Sequence, residues 1–154
     1  MKTKITKTFL LVMASVSLLF ISCNKDDDNN SSSTTSGNLI GKWYMYSENT
    51  VTNGVAGNEQ LWAHNCSSNL DYVEFKSNGS AEMIQYAADC TVDAASSVSS
   101  VTWTRSENTI NFSLNGEAFS EEITTLNSNT LIVKDVDEYN GTTYDYITTY
   151  HRAN

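Results

Sequence analysis

Thr109-Ile110-Asn111-Phe112-Ser113-Leu114-Asn115-Gly116 is the stretch on which the fold turns. Apolar side chains at 110, 112 and 114 alternate with polar ones at 109, 111 and 113, the period of a strand with one buried face. The Asn-Gly pair accepts the positive φ angles of a tight hairpin, and a second strand-like run, Ala118 to Thr125, begins just beyond it. The same unit recurs on both sides. Lys42 to Asn49, Tyr72 to Lys76, Ala81 to Ala87, Val101 to Arg105, Thr130 to Val136 and Thr143 to His151 read as further strands. Ser77-Asn78-Gly79, Ser106-Glu107-Asn108, Asn127-Ser128-Asn129 and Asn140-Gly141 read as the turns between them. No segment sustains a helical period. Eight strands joined mostly by short turns make a meander, whose two edges disappear when the first and last strands meet. The expected fold is therefore all-β, an eight-stranded antiparallel up-and-down barrel.

Alternation also assigns the faces. Trp43, Met45, Val73, Phe75, Ala81, Met83, Val101, Trp103, Ile110, Phe112, Leu114, Leu131 and Val133 should point inward, with Glu74, Glu82, Thr104, Asn111, Ser113 and Lys134 in water. Phe119, Glu121 and Ile123 share one parity that Leu126 breaks, so a bulge is expected between Glu122 and Thr125. The chain contains no proline, which leaves every strand N–H available to the ladder.

Upstream of the strands the composition changes twice. Lys2, Lys4 and Lys7 precede an apolar run from Phe9 to Ile21, too short for the ~20 residues of a spanning helix but suited to a signal sequence. The run ends at Phe20-Ile21-Ser22-Cys23, which resembles the cleavage box of a bacterial lipoprotein. On that resemblance residues 1–22 are removed and Cys23 becomes the lipidated first residue, palmitate being one acyl chain expected there. A plain secretory signal with an incidental cysteine is the alternative. Residues 23–38 carry almost no apolar side chain and read as a solvated acidic and Ser/Thr-rich linker. Its Lys25-Asp26-Asp27-Asp28 is either a charge run or similar to the acidic signal that sends some Gram-negative lipoproteins to the outer face of the outer membrane. The expected location is the outer membrane, held by the lipid. Residues 39–154 have the size of one domain.

The whole chain has a formal charge of −9. Removing the three leader lysines leaves six basic against eighteen acidic residues, a charge of −12 that repels phosphate backbones and argues against nucleic acid as a partner. With Cys23 acylated, Cys66 and Cys90 are an even pair in an oxidising compartment and are expected to form a disulfide.

Gly41-Lys42-Trp43 at the start of the first strand of an eight-strand meander resembles the lipocalin signature. Val73 to Ser80, the paired Cys66 and Cys90, Val101-Thr102-Trp103, Ile123 to Leu126 and Thr130 to Val133 follow in the order seen in the lipocalin-like domain of bacterial lipoproteins, and together they span nearly all of residues 39–152. The family's Thr-Asp-Tyr motif is absent. The resemblance implies a calyx whose bottom is closed by a basic residue packed on the first-strand tryptophan, the place that Arg152 would take over Trp43, with Gly41 beside it.

Little in the sequence suggests catalysis. His64 and His151 sit in no recognised catalytic setting, and His64 reads as a surface loop residue. An oxidised Cys66 cannot ligate a metal, and Asp135 to Gly141 lacks the spacing of a calcium loop. No metal or cofactor is expected. The barrel interior is the remaining candidate site, with Met83, Trp103, Phe112, Tyr144 and Tyr146 as its lining and ordinary core packing as the alternative. The expected protein is a monomeric, non-catalytic lipoprotein binding a small apolar or amphipathic ligand. A surface-displayed interaction or adhesion module with a filled barrel is the second reading.

Overall fold

Asn115 and Gly116 take φ angles of 54° and 86°, and Leu114 pairs with Glu117 across them, in the computed structural model, which describes residues 37–153. The signal segment, Cys23 and the linker up to Ser36 lie outside the described residues. Asn140-Gly141 makes a second turn of the same kind, with φ of 51° and 74°. These turns join ten strands: β1 (Gly41–Thr52), β2 (Val55–Ala56), β3 (Gln60–Leu61), β4 (Tyr72–Phe75), β5 (Ser80–Ile84), β6 (Val98–Ser106), β7 (Thr109–Leu114), β8 (Glu117–Leu126), β9 (Thr130–Tyr139) and β10 (Thr142–Arg152).

Eight of them form the barrel. β4 to β10 each pair antiparallel with the next, β1 pairs with β4, and β10 returns to β1 from Trp43↔Arg152 to Thr52↔Tyr144. The sheet is closed, as the meander predicts. β2 and β3 were not expected. β4 covers β1 only from Gly41 to Tyr44, so the upper part of β1 would leave its backbone groups on that side bare. β3 takes Ser47 and Glu48, and β2 takes Val51 and Thr52 through a turn at Asn53-Gly54. That Asn-Gly pair was the available signal.

The bulge lies where parity breaks: Ile123 pairs with Val133 and Thr125 with Ile132, leaving Thr124 unpaired. Two more fall at Tyr46 and at Ser99-Ser100, the latter with Ser100 at φ 66°. The third barrel strand stops at Ile84 rather than Ala87. Tyr86 leaves the ladder because its N–H donates to the Asp71 carboxylate at 2.8 Å, and it makes only an isolated bridge to Val92.

All thirteen side chains assigned inward belong to the core cluster or pack against it, joined by Leu39, Ile123, Leu126 and Tyr150. Outside, Lys76 pairs with Glu82 at 2.9 Å and Lys134 with Glu122 at 2.7 Å, across strands. One end of the barrel is shut. Trp43 is fully buried, donates from Nε1 to the Leu39 carbonyl at 2.8 Å, and carries the Arg152 guanidinium 4.0 Å above its ring. Arg152 also donates to the carbonyls of Ile40 and Asn38. A Cβ on Gly41, whose φ is 127°, would stand 2.8 Å from Arg152 Nη1, so glycine opens the path by which that guanidinium reaches the indole. Arg105 donates to the Gly37 carbonyl at 3.1 Å, and Gly37 N–H donates to Leu126 O. The chain thus enters the barrel at its closed end.

Candidate ligand cavity

The opposite end is the mouth, because there β1 and β5 hand over to the two long connections, residues 53–71 and 85–97, while tight turns close the other strands. A disulfide between Cys66 and Cys90, with Cα atoms 5.1 Å apart, ties the two connections together. Asn69 Nδ2 adds a hydrogen bond to the Cys90 carbonyl. The first connection is also held from within. Asp71 is only 2 % exposed, and its carboxylate accepts from Trp62 Nε1 and Tyr86 N, each at 2.8 Å. His64 Nδ1 accepts from Asp71 N at 2.9 Å, which leaves Nε2 to donate to the Met45 carbonyl at 3.0 Å. His64 is therefore an internal brace rather than a surface residue. Its partners are contributed by the loop's own return and by β1, neither of which its neighbours in sequence disclose.

Between mouth and closed end the interior holds a cavity of about 190 Å³. That exceeds the ~150 Å³ that suffices for a benzene ring in an apolar protein interior. Val73 and Phe75 of β4, Ala81 and Met83 of β5, Val98 and Val101 of β6, Phe112 and Leu114 of β7, Phe119 of β8, Leu131 and Val133 of β9 and Tyr150 of β10 line it. Phe112 and Phe119 stack at 5.0 Å, and Phe119 is 44 % exposed, so the aromatic wall reaches the opening. Two acidic residues join the apolar lining, Glu82 and Glu121. Lys76 takes up the carboxylate of Glu82.

Glu121 is different. Among the described residues no hydrogen bond or ion pair reaches its carboxylate, and burial first, then the negative charge of Asp135, push its pKa from 4.5 up to about 7. Its backbone faces Ile110 of β7, which is fully buried. Burial also raises Tyr150, reinforced by the charges of Glu121 and Glu48. The unfolded chain releases the Glu121 proton near 4.5 and the folded chain near 7, so between those values the fold holds the extra proton and loses stability as pH rises. Glu121→Gln should remove this loss, worth up to ~3 kcal/mol at pH 8 and nothing below pH 4. Urea unfolding of the two proteins across that range checks it; parallel curves would refute it.

Of the lining residues expected from sequence, Met83 and Phe112 are wall residues. Trp103 is not. Its indole packs edge-on to Phe75 at 5.2 Å and donates to the Ser80 carbonyl at 3.0 Å, so it backs the wall toward the closed end. Tyr144 and Tyr146 do not line the cavity either. They stack on each other at 6.3 Å on the inward face of β10, but above Tyr150, where Tyr146 is 44 % exposed at the rim. Glu121, Phe119 and Tyr150 were missed as wall residues; for Phe119 and Glu121 the parity they share with Ile123 was the available signal.

Among the described residues no three His, Cys, Asp or Glu side chains converge as metal ligands. Residues 135–141 are the end of β9 and its hairpin turn. Residues 39–133 match the family model described as a lipocalin-like domain. No curated protein matches the chain.

Proposed function

Since the chain belongs to the lipocalin-like domain family, we propose that it is a non-catalytic carrier that takes a small apolar or amphipathic molecule into its barrel through the mouth. The observation that carries this reading is the cavity itself. An interior meant only as core would be packed to the density of a crystal, whereas here Phe75, Phe112, Phe119 and Tyr150 face open space. That favours binding over an interaction module with a filled barrel. Apart from Glu82, Glu121 and Tyr150 the lining is apolar and holds no Ser, Thr, Cys, His or Lys, which supports a carrier over an enzyme.

The same proposal includes a lipid anchor at Cys23 and an outer-membrane location. The basic start, the apolar run and the Ser22-Cys23 junction support it, and the Cys66–Cys90 disulfide fits an oxidising compartment. Labelled palmitate should enter the protein made in an envelope-bearing bacterial host and fail to enter Cys23→Ser; equal labelling of both would end the anchored reading.

Binding is tested with a neutral apolar fluorophore titrated into the full chain. Fluorescence should rise to saturation at one site, and Leu114→Trp, which fills the upper cavity, should weaken uptake by roughly tenfold or more without lowering the melting temperature. Saturable binding that ignores this substitution would move the site out of the barrel.

A further inference from the structure

We propose that the preferred occupant of the cavity is a small organic cation, a primary arylalkyl or alkyl amine, with its apolar body among Phe75, Phe112 and Phe119 and its ammonium against Glu121; this rests on the carrier reading above. Volume sets the body. About 190 Å³ accommodates a single ring with a short chain.

Charge sets the head. Val133 points into the cavity and Asp135 lies two residues further along β9, on the same face and toward the mouth. Asp135 pairs with Tyr146 of β10, and Glu48 of β1 pairs with Thr148, which shares the face of Tyr146 and Tyr150. Asp135 is thus the charge that acts on Glu121, Glu121 and Glu48 both act on Tyr150, and β7 sets the buried Ile110 opposite Glu121. No Lys, Arg or His is among the lining residues.

A lone carboxylate in such a place lacks what would stabilise its ionised form. An ammonium supplies it, and its three N–H donors match an arrangement of acceptors from β8, β9 and β10. A carboxylate ligand would add a third negative charge to a pair already repelling one another, and a neutral alcohol offers one donor and no charge. The raised pKa agrees with this geometry and gives it a pH dependence. The amine stays protonated throughout, so uptake follows ionisation of Glu121 and should fall roughly tenfold from pH 8 to pH 6.

The test titrates 2-phenylethylamine, 2-phenylethanol and phenylacetate into the full chain by calorimetry, alongside the neutral fluorophore. At pH 8 the amine should bind about tenfold more tightly than the alcohol, with phenylacetate weakest. Glu121→Gln should lower the amine to the level of the alcohol and leave the alcohol within about twofold. Asp135→Asn should shift the pH midpoint of amine uptake downward, an effect that loss of packing would not produce. Equal binding of amine and alcohol, or an amine preference that survives Glu121→Gln, overturns the ligand class. If the fluorophore binds and none of the three phenyl compounds does, the ligand class fails and the carrier stands; if nothing binds, both fail.

Discussion

Replacing Trp43 with alanine is expected to lower the unfolding free energy by about 3–5 kcal/mol, the range for a buried tryptophan reduced to a methyl. Few positions unite so much. The indole is wholly buried, satisfies the Leu39 carbonyl and supports the Arg152 guanidinium, so the substitution opens a void and strips a partner from each. Arg152 would keep its hydrogen bonds to Ile40 and Asn38 only if those residues held their places without the indole beneath. A domain of this size has ~5–15 kcal/mol in all, so the variant should unfold at markedly lower denaturant and melt many degrees earlier. Trp43→Phe, which keeps a ring under the guanidinium but loses the N–H, should cost about half as much or less. Chemical denaturation of the three proteins decides the matter. A loss under about 1 kcal/mol for the alanine variant would show that the closed end is not where the fold is held.

The double variant Cys66→Ser, Cys90→Ser should lose about 3 kcal/mol. The bridge spans a sequence separation of 24, and the chain-entropy account of a loop of that length gives ~3.5 kcal/mol, reduced by whatever order the rim retains on its own. Some order will remain. Asp71 still accepts from Trp62 and Tyr86, and His64 still joins Met45 to the loop. The barrel strands should therefore keep their amide protection against hydrogen exchange while residues 53–71 and 85–97 lose theirs. A stability unchanged within 0.5 kcal/mol, or a loss of protection spread evenly over the sheet, would contradict this division between rim and wall.

Most of the barrel is legible in the sequence, because hairpins are local. Asn115-Gly116 and Asn140-Gly141 specify their turns within two residues, and the alternation around Phe112 specifies a face. The site was harder, for a reason that Trp103 makes plain. Parity tells which face of the sheet a side chain takes but not how far along the barrel axis it lies, and depth separates a wall residue such as Phe112 from a backing residue such as Trp103. Tyr144 and Tyr146 failed in the other direction, sharing the face of Tyr150 yet sitting above the chamber. His64 was misread because its bonds run to Asp71 and Met45, contacts that no periodic pattern encodes. Glu121 was visible all along in the parity of β8, and only its surroundings show what a carboxyl does there.

Arg105 and Arg152 hold the closed end of the barrel, whereas Asp135, Asp137 and Glu138 lie on the half of β9 that runs to the mouth. Around the apolar, poorly screening bore the described residues carry five Lys and Arg against fifteen Asp and Glu, so the field of the domain is negative. Such a field draws positive solutes toward the opening and turns negative ones away before any contact is made. Its reach is the Debye length, ~8 Å in physiological salt and ~30 Å at about 0.01 M. The speed at which the barrel captures a cation should accordingly drop with added salt, while the rate of escape from the dry chamber stays nearly constant.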